Sequence, residues 1–215
     1  MQDQALKDLL VQHVPESFWR RLLEGADTAF PAVENQLRLM ACETPELSNT
    51  RGQLRHAFCE KDFRIAAKEA GGKPKAPHTA PRGGRFSLVR FGKFLIGRAK
   101  ISCPGSAPHH SKFRKELAHL NAFLSAHQLD LFKEELDLPD DTIFSLIVTV
   151  APKPSDDQTR PLYVGVGIPD AELQSWLFTE SISSMIAAYE SSGDVIIPDR
   201  AVPRLRRANK RKTEE

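Results

Sequence analysis

Arg51 and His56 stand in an Arg-x4-His spacing. A guanidinium can grip phosphate oxygens, and an imidazole can move a proton near neutral pH. No catalytic site is assigned on that basis, but these two residues are the candidates for one. A larger signal lies downstream. Residues 71–115 hold 11 Lys or Arg and no Asp or Glu, where the chain average would place about six acids. Arg82, Arg85, Arg90, Lys93, Arg98 and Lys100, followed by Lys112, Arg114 and Lys115, are therefore the candidate nucleic-acid contacts. Phosphate recognition uses such cations on loops, strands and helix starts. Phe86, Phe91 and Phe94 interleave with them. Rings so placed can stack on unpaired bases, although alternating Phe in a hairpin favours a core.

Other chemistries lack their residues. Cys42, Cys59 and Cys103 form no CxxC pair, and the seven histidines show no HExxH. Neither a structural metal nor a cofactor is expected. There is no GxxxxGK[ST], no GxGxxG leading into a helix and no GxSxG. Gly165-Val166-Gly167 sits in a strand pattern, where glycine allows close packing or a bulge. The first hairpin contains no acid and the second strand pair no acid-x-Lys, which disfavours a metal-dependent nuclease.

The Arg51–His56 spacing resembles the motif of HEPN ribonucleases, in which a helix presents Arg and His to an RNA phosphate. The resemblance covers six residues. Gly52 stands where that family carries a polar residue, and the all-helical HEPN fold differs from the mixed pattern of this chain. What the resemblance implies is RNA cleavage by Arg51 and His56.

The periodicity divides the chain. Leu6, Leu9, Leu10 and His13 share a helix face, and Pro15 ends it. Phe18, Leu22, Ala26, Val33, Leu37 and Met40 continue at helical spacing, with a kink or break at Pro31. Ser48, Asn49 and Thr50 offer caps for a third helix, buried through Leu54, Phe58, Ile65 and Ala66 and stopped by Gly71-Gly72. Residues 71–84 are a linker or long loop. Arg85–Phe91 and Lys93–Ile101 make a hairpin about Gly92, and Phe113, Leu117, Leu120 and Leu124 mark a helix. Thr142–Val150 is a strand buried on both faces, and Leu162–Ile168 is its partner. Leu173, Trp176, Leu177, Ile182, Met185, Ile186 and Tyr189 then point inward from a last helix, with Val195–Ile197 as an edge strand. The expected fold is α+β. A helical region over 1–70 precedes an 85–199 domain of ββα-ββα order, with a four-stranded, mostly antiparallel sheet and helices packed on one side. Residues 200–215 form a disordered basic tail.

Charge is blocked along this order: −2 over 1–70, +11 over 71–115, −12 over 116–199 and +5 over 200–215, for a net +2. Either the basic and acidic parts neutralise each other, or the basic hairpin and tail meet a polyanion. No apolar run approaches membrane-spanning length, and the N-terminal MQDQALKDLL has no basic stretch followed by an apolar one as a secretory signal would, so no membrane contact and a cytoplasmic location are expected. The leading functional expectation is a non-enzymatic, nucleic-acid-associated or regulatory protein. The alternatives are a protein-interaction component of a bacterial-type toxin–antitoxin or defence system, with a protein partner or homo-oligomer, and the HEPN-like ribonuclease.

Overall fold

The structure, a computed structural model, describes residues 2–40, 43–79, 84–127 and 142–193. The N-terminal apolar spacing folds into α1 (Gln2–His13), α2 (Glu16–Arg38) and α3 (Thr44–Glu69), with Pro15 between the first two. Pro31 does not break the chain into two elements; it lies inside α2. The backbone bond it removes is offset by burial of Ala29, Phe30 and Val33 around it. The third helix starts at Thr44, ahead of the expected caps, because Pro45 pre-sets the first helical turn. Its buried residues are Glu60, Phe63, Ala66 and Ala67, while Leu54, Phe58 and Ile65 are only half-buried. Gly71, at φ +81°, ends it.

The sheet follows. Among the described residues it has five strands in the order β1 (Val89–Phe91), β2 (Phe94–Ile101), β3 (Ile143–Val150), β4 (Tyr163–Pro169) and β5 (Trp176–Ser181). The turn between β1 and β2 is at Gly92, whose φ is +51°. A Cβ there would also stand 2.5 Å from the His13 ring, so glycine is required twice over. β2 and β3 pair in parallel, Phe94 with Ile143 through to Ile101 with Val150, and the other neighbours are antiparallel. The expected four-stranded, mostly antiparallel sheet is thus a mixed one with a fifth strand. Parallel strands need a crossover, and α4 (Lys112–Ala118), a 3₁₀ turn (His119–Asn121) and α5 (Ala122–His127) begin it.

β5 replaces the first half of the expected last helix, so the ββα-ββα order does not hold. Asp170 is the reason. Its carboxylate accepts from the backbone N–H groups of Glu172, Gln174 and Ser175 (3.1, 2.9 and 2.8 Å) and from the Ser175 hydroxyl (2.5 Å). This closes a turn that returns the chain as a strand. Leu173 is still fully buried, but from that turn, at φ +59°. α6 (Ile182–Gly193) starts only after Ser181. Val195–Ile197 and the 200–215 tail lie outside the described residues.

Helices cover both faces of the sheet rather than one. On one face α1, α2, α3 and α6 contribute Leu10, Phe18, Trp19, Phe63, Ile182 and Met185 to a cluster with Phe94, Ile96, Ile143 and Ile147. On the other, Ala118 of α4 packs with Ala99, Phe144, Leu146 and Val148. β3 is buried at every position because both layers close over it. Buried Asn121 ties the crossover to the sheet: its amide donates to the carbonyls of Phe144 and Pro169 (2.9 and 2.8 Å) and its oxygen accepts from the Phe144 N–H (2.8 Å).

Candidate functional site

A strand alternates its side chains, so Arg98 and Lys100 leave β2 on the same face as Phe94 and Ile96. Toward the carboxyl end of the parallel pair, between that face and α2 and α3, they line a depression of about 140 Å³. Carboxyl ends of parallel strands are where open sheets place ligand sites. α3 adds Arg55, His56 and Cys59, α4 adds Arg114, and Phe30, Gly52, Ala99, Thr149 and Ala151 complete the wall.

Each guanidinium is held differently. Arg51 does not line the depression. Its Nε and Nη2 donate to the two oxygens of Glu34 (2.8 and 3.2 Å). Arg55 shares Glu34 (3.1 Å), donates to the backbone and side-chain oxygens of Gln158 (2.8 and 3.1 Å), and lies 4.7 Å over the Phe30 ring. Burial lowers the Arg55 pKa, against the pull of Glu34. Arg98 donates to Glu60 (3.4 Å), and both side chains are less than a tenth exposed. Glu60 also accepts from the Ser87 N–H (2.9 Å), so one buried carboxylate fastens α3, β2 and the segment before β1 together. Arg114 donates to the His109 carbonyl (3.1 Å) beside Phe113, whose ring stacks on Phe86 at 3.9 Å. Burial lowers its pKa, with Glu60 opposing and Arg98 reinforcing. The Nε atoms of Arg55 and Arg114 are buried without an acceptor among the described residues. Of the four cations lining the depression, Arg55 shares Glu34 with Arg51, and Arg98 shares Glu60 with Arg64. Neither Lys100 nor Arg114 forms an ion pair with a described carboxylate.

His56 sits at the rim, exposed, and also lines a second depression with Ala57, Glu60, Arg64, Ala76 and Arg85. Loss of solvent moves its pKa below the ordinary 6.5; Glu60 opposes, and Arg98 and Arg114 reinforce the shift. The imidazole is therefore neutral at pH 7. Burial pushes the Cys59 thiol up, so it is no thiolate nucleophile near neutrality. Among the described residues no cluster of three or more His, Cys, Asp or Glu could hold a metal, and no helix is long and apolar enough to cross a membrane.

The sequence-derived contacts separate into groups. Arg98, Lys100 and Arg114 converge on the first depression, and Arg85 lines the second. Arg90, whose Nε donates to the Gly92 carbonyl (3.0 Å), and Lys93 lie at the β1–β2 turn, Lys93 about 16 Å of strand from Arg98. Lys112 is exposed at the start of α4, and Lys115 pairs with Glu172 (2.8 Å), joining the basic block to the acidic one. Arg82 lies outside the described residues. Of the three interleaved rings, Phe91 and Phe94 are core and Phe86 stacks on Phe113. Arg55, Glu34 and Glu60 were not singled out from sequence. No local signal marks them, because their partners come from other elements. Comparison with protein-family models, curated proteins and solved structures gives no match.

Proposed function

We propose that this chain is a non-enzymatic nucleic-acid-binding protein that takes backbone phosphate in the cationic depression at the carboxyl end of β2 and β3. The observation that carries this reading is the convergence of Arg55, Arg98, Lys100 and Arg114 on one concave site with no carboxylate among its described lining residues. Bidentate arginine suits phosphate geometry. The hairpin turn with Arg90 and Lys93, and the basic tail, contribute long-range attraction to the same ligand.

Affinity for a fluorescent oligonucleotide, measured by anisotropy, is expected to fall steeply with salt. The log–log slope is about −0.7 to −0.9 per phosphate contact. Lys100→Glu should flatten that slope by about one such increment. Because Lys100 is exposed, the melting temperature should stay at the parent value. Absence of binding at low salt would overturn the reading.

A pH dependence follows from His56. A bound phosphate favours the imidazolium, while in the free site desolvation, reinforced by Arg98 and Arg114, favours neutral imidazole over the pull of Glu60. Binding therefore takes up a proton, and affinity should rise as pH falls through the window from the bound-state pKa down to the depressed free-state value. His56→Gln should abolish that rise; its persistence would place the titrating group elsewhere.

A further inference from the structure

We propose that the two depressions flanking His56 form one groove for a single-stranded nucleic acid, with an unpaired nucleotide in the first and the neighbouring phosphate in the second. This rests on the nucleic-acid reading above and adds the ligand's strandedness and its path. Three observations carry it. First, the depression between α2, α3 and β2 is not lined by cations alone. Phe30, Cys59, Ala99 and Ala151 give it an apolar wall, which a phosphate does not use and a base does. Second, the Arg55 guanidinium carbon lies over the Phe30 ring, 4.7 Å from its centroid, and a planar guanidinium can serve as a stacking platform for an unstacked base. A base inside a duplex cannot enter such a concavity without leaving its stack. Third, His56 lines both depressions, and Arg64 and Arg85 continue the cationic wall into the second. His56 and Arg64 are two turns apart on α3, about 12 Å along its axis. The carboxylate facing this path, Glu60, is already engaged by Ser87, Arg98 and Arg64, so it does not stand free against an incoming phosphate.

The test uses the full chain and three probes: a labelled single-stranded oligothymidylate, the same strand annealed to oligoadenylate, and thymidine monophosphate as competitor. The expected result has three parts. The single strand binds at least about tenfold tighter than the duplex. Arg85→Glu, an exposed residue, weakens the single strand about tenfold and leaves competition by the monophosphate unchanged. Arg114→Ala weakens both. Thermal melts confirm that each variant is folded. Equal affinity for duplex and single strand, or no effect of Arg85→Glu on a strand that Lys100→Glu weakens, would overturn the groove while leaving the nucleic-acid reading in place. No binding of any probe at low salt would overturn both.

Discussion

Val148→Asp is expected to leave the chain unable to fold. Val148 is 1% exposed at the centre of β3, paired with Ala99 of β2 on one side and Gly165 of β4 on the other. Its side chain packs with Phe144, Leu146 and Ala118 in the layer beneath the crossover helix. A carboxylate there meets no cation and no water, and an unpaired buried charge costs several kcal/mol. That is comparable with the whole stability of an ordinary domain, about 5–15 kcal/mol. The measurement is soluble yield and a circular-dichroism melt. A soluble variant melting within a few degrees of the parent would show that β3 is not the central strand.

The same strand shows how much of the fold was legible. An unbroken run of apolar residues from Ile143 to Val150 marks a strand buried on both faces, and both faces are buried. That run also requires a layer on each side, which a sheet with helices on one side cannot supply. The parallel pairing of β2 with β3 leaves no mark in either strand, because the crossover through α4 and α5 sets it and no residue in the strands does. β5 was hidden for a different reason. Trp176, Leu177 and Phe178 run straight into Ile182, Met185 and Ile186, and no glycine or proline separates the strand from α6. The Asp170 turn that decides the matter is built from four hydrogen bonds to one side chain. At the site, Arg98, Lys100 and Arg114 were visible as charges, but their convergence was not. It depends on Glu60, whose partners Ser87 and Arg98 are 27 and 38 residues further on. On sequence alone Glu60 is one more acid on a helix surface.

Glu60→Gln is expected to move stability and anion affinity in opposite directions. The buried carboxylate neutralises Arg98 and accepts the Ser87 N–H. A glutamine can keep the second contact but not the charge. Arg98 is then buried beside a neutral amide, and leaving one ion of a buried pair uncompensated costs about 3–5 kcal/mol, toward the lower figure where an acceptor remains. Removing that negative charge also raises the net charge of the depression by one unit, so a phosphate chain should bind more tightly at temperatures where the variant is folded. The His56 titration should shift to lower pH as well, because Glu60 is the group that holds its pKa up. Adding Arg98→Met to Glu60→Gln should restore much of the stability, since a hydrophobic side chain of similar length needs no counterion. The double variant should also lose the gained affinity, because the cation that made it is gone. Melting temperature and oligonucleotide affinity measured on the single and double variants separate two roles for the Glu60–Arg98 pair. If the pair only braces α3 against β2, affinity follows stability down in the single variant and returns with it in the double. If Arg98 also meets the ligand, affinity is highest where the protein is least stable.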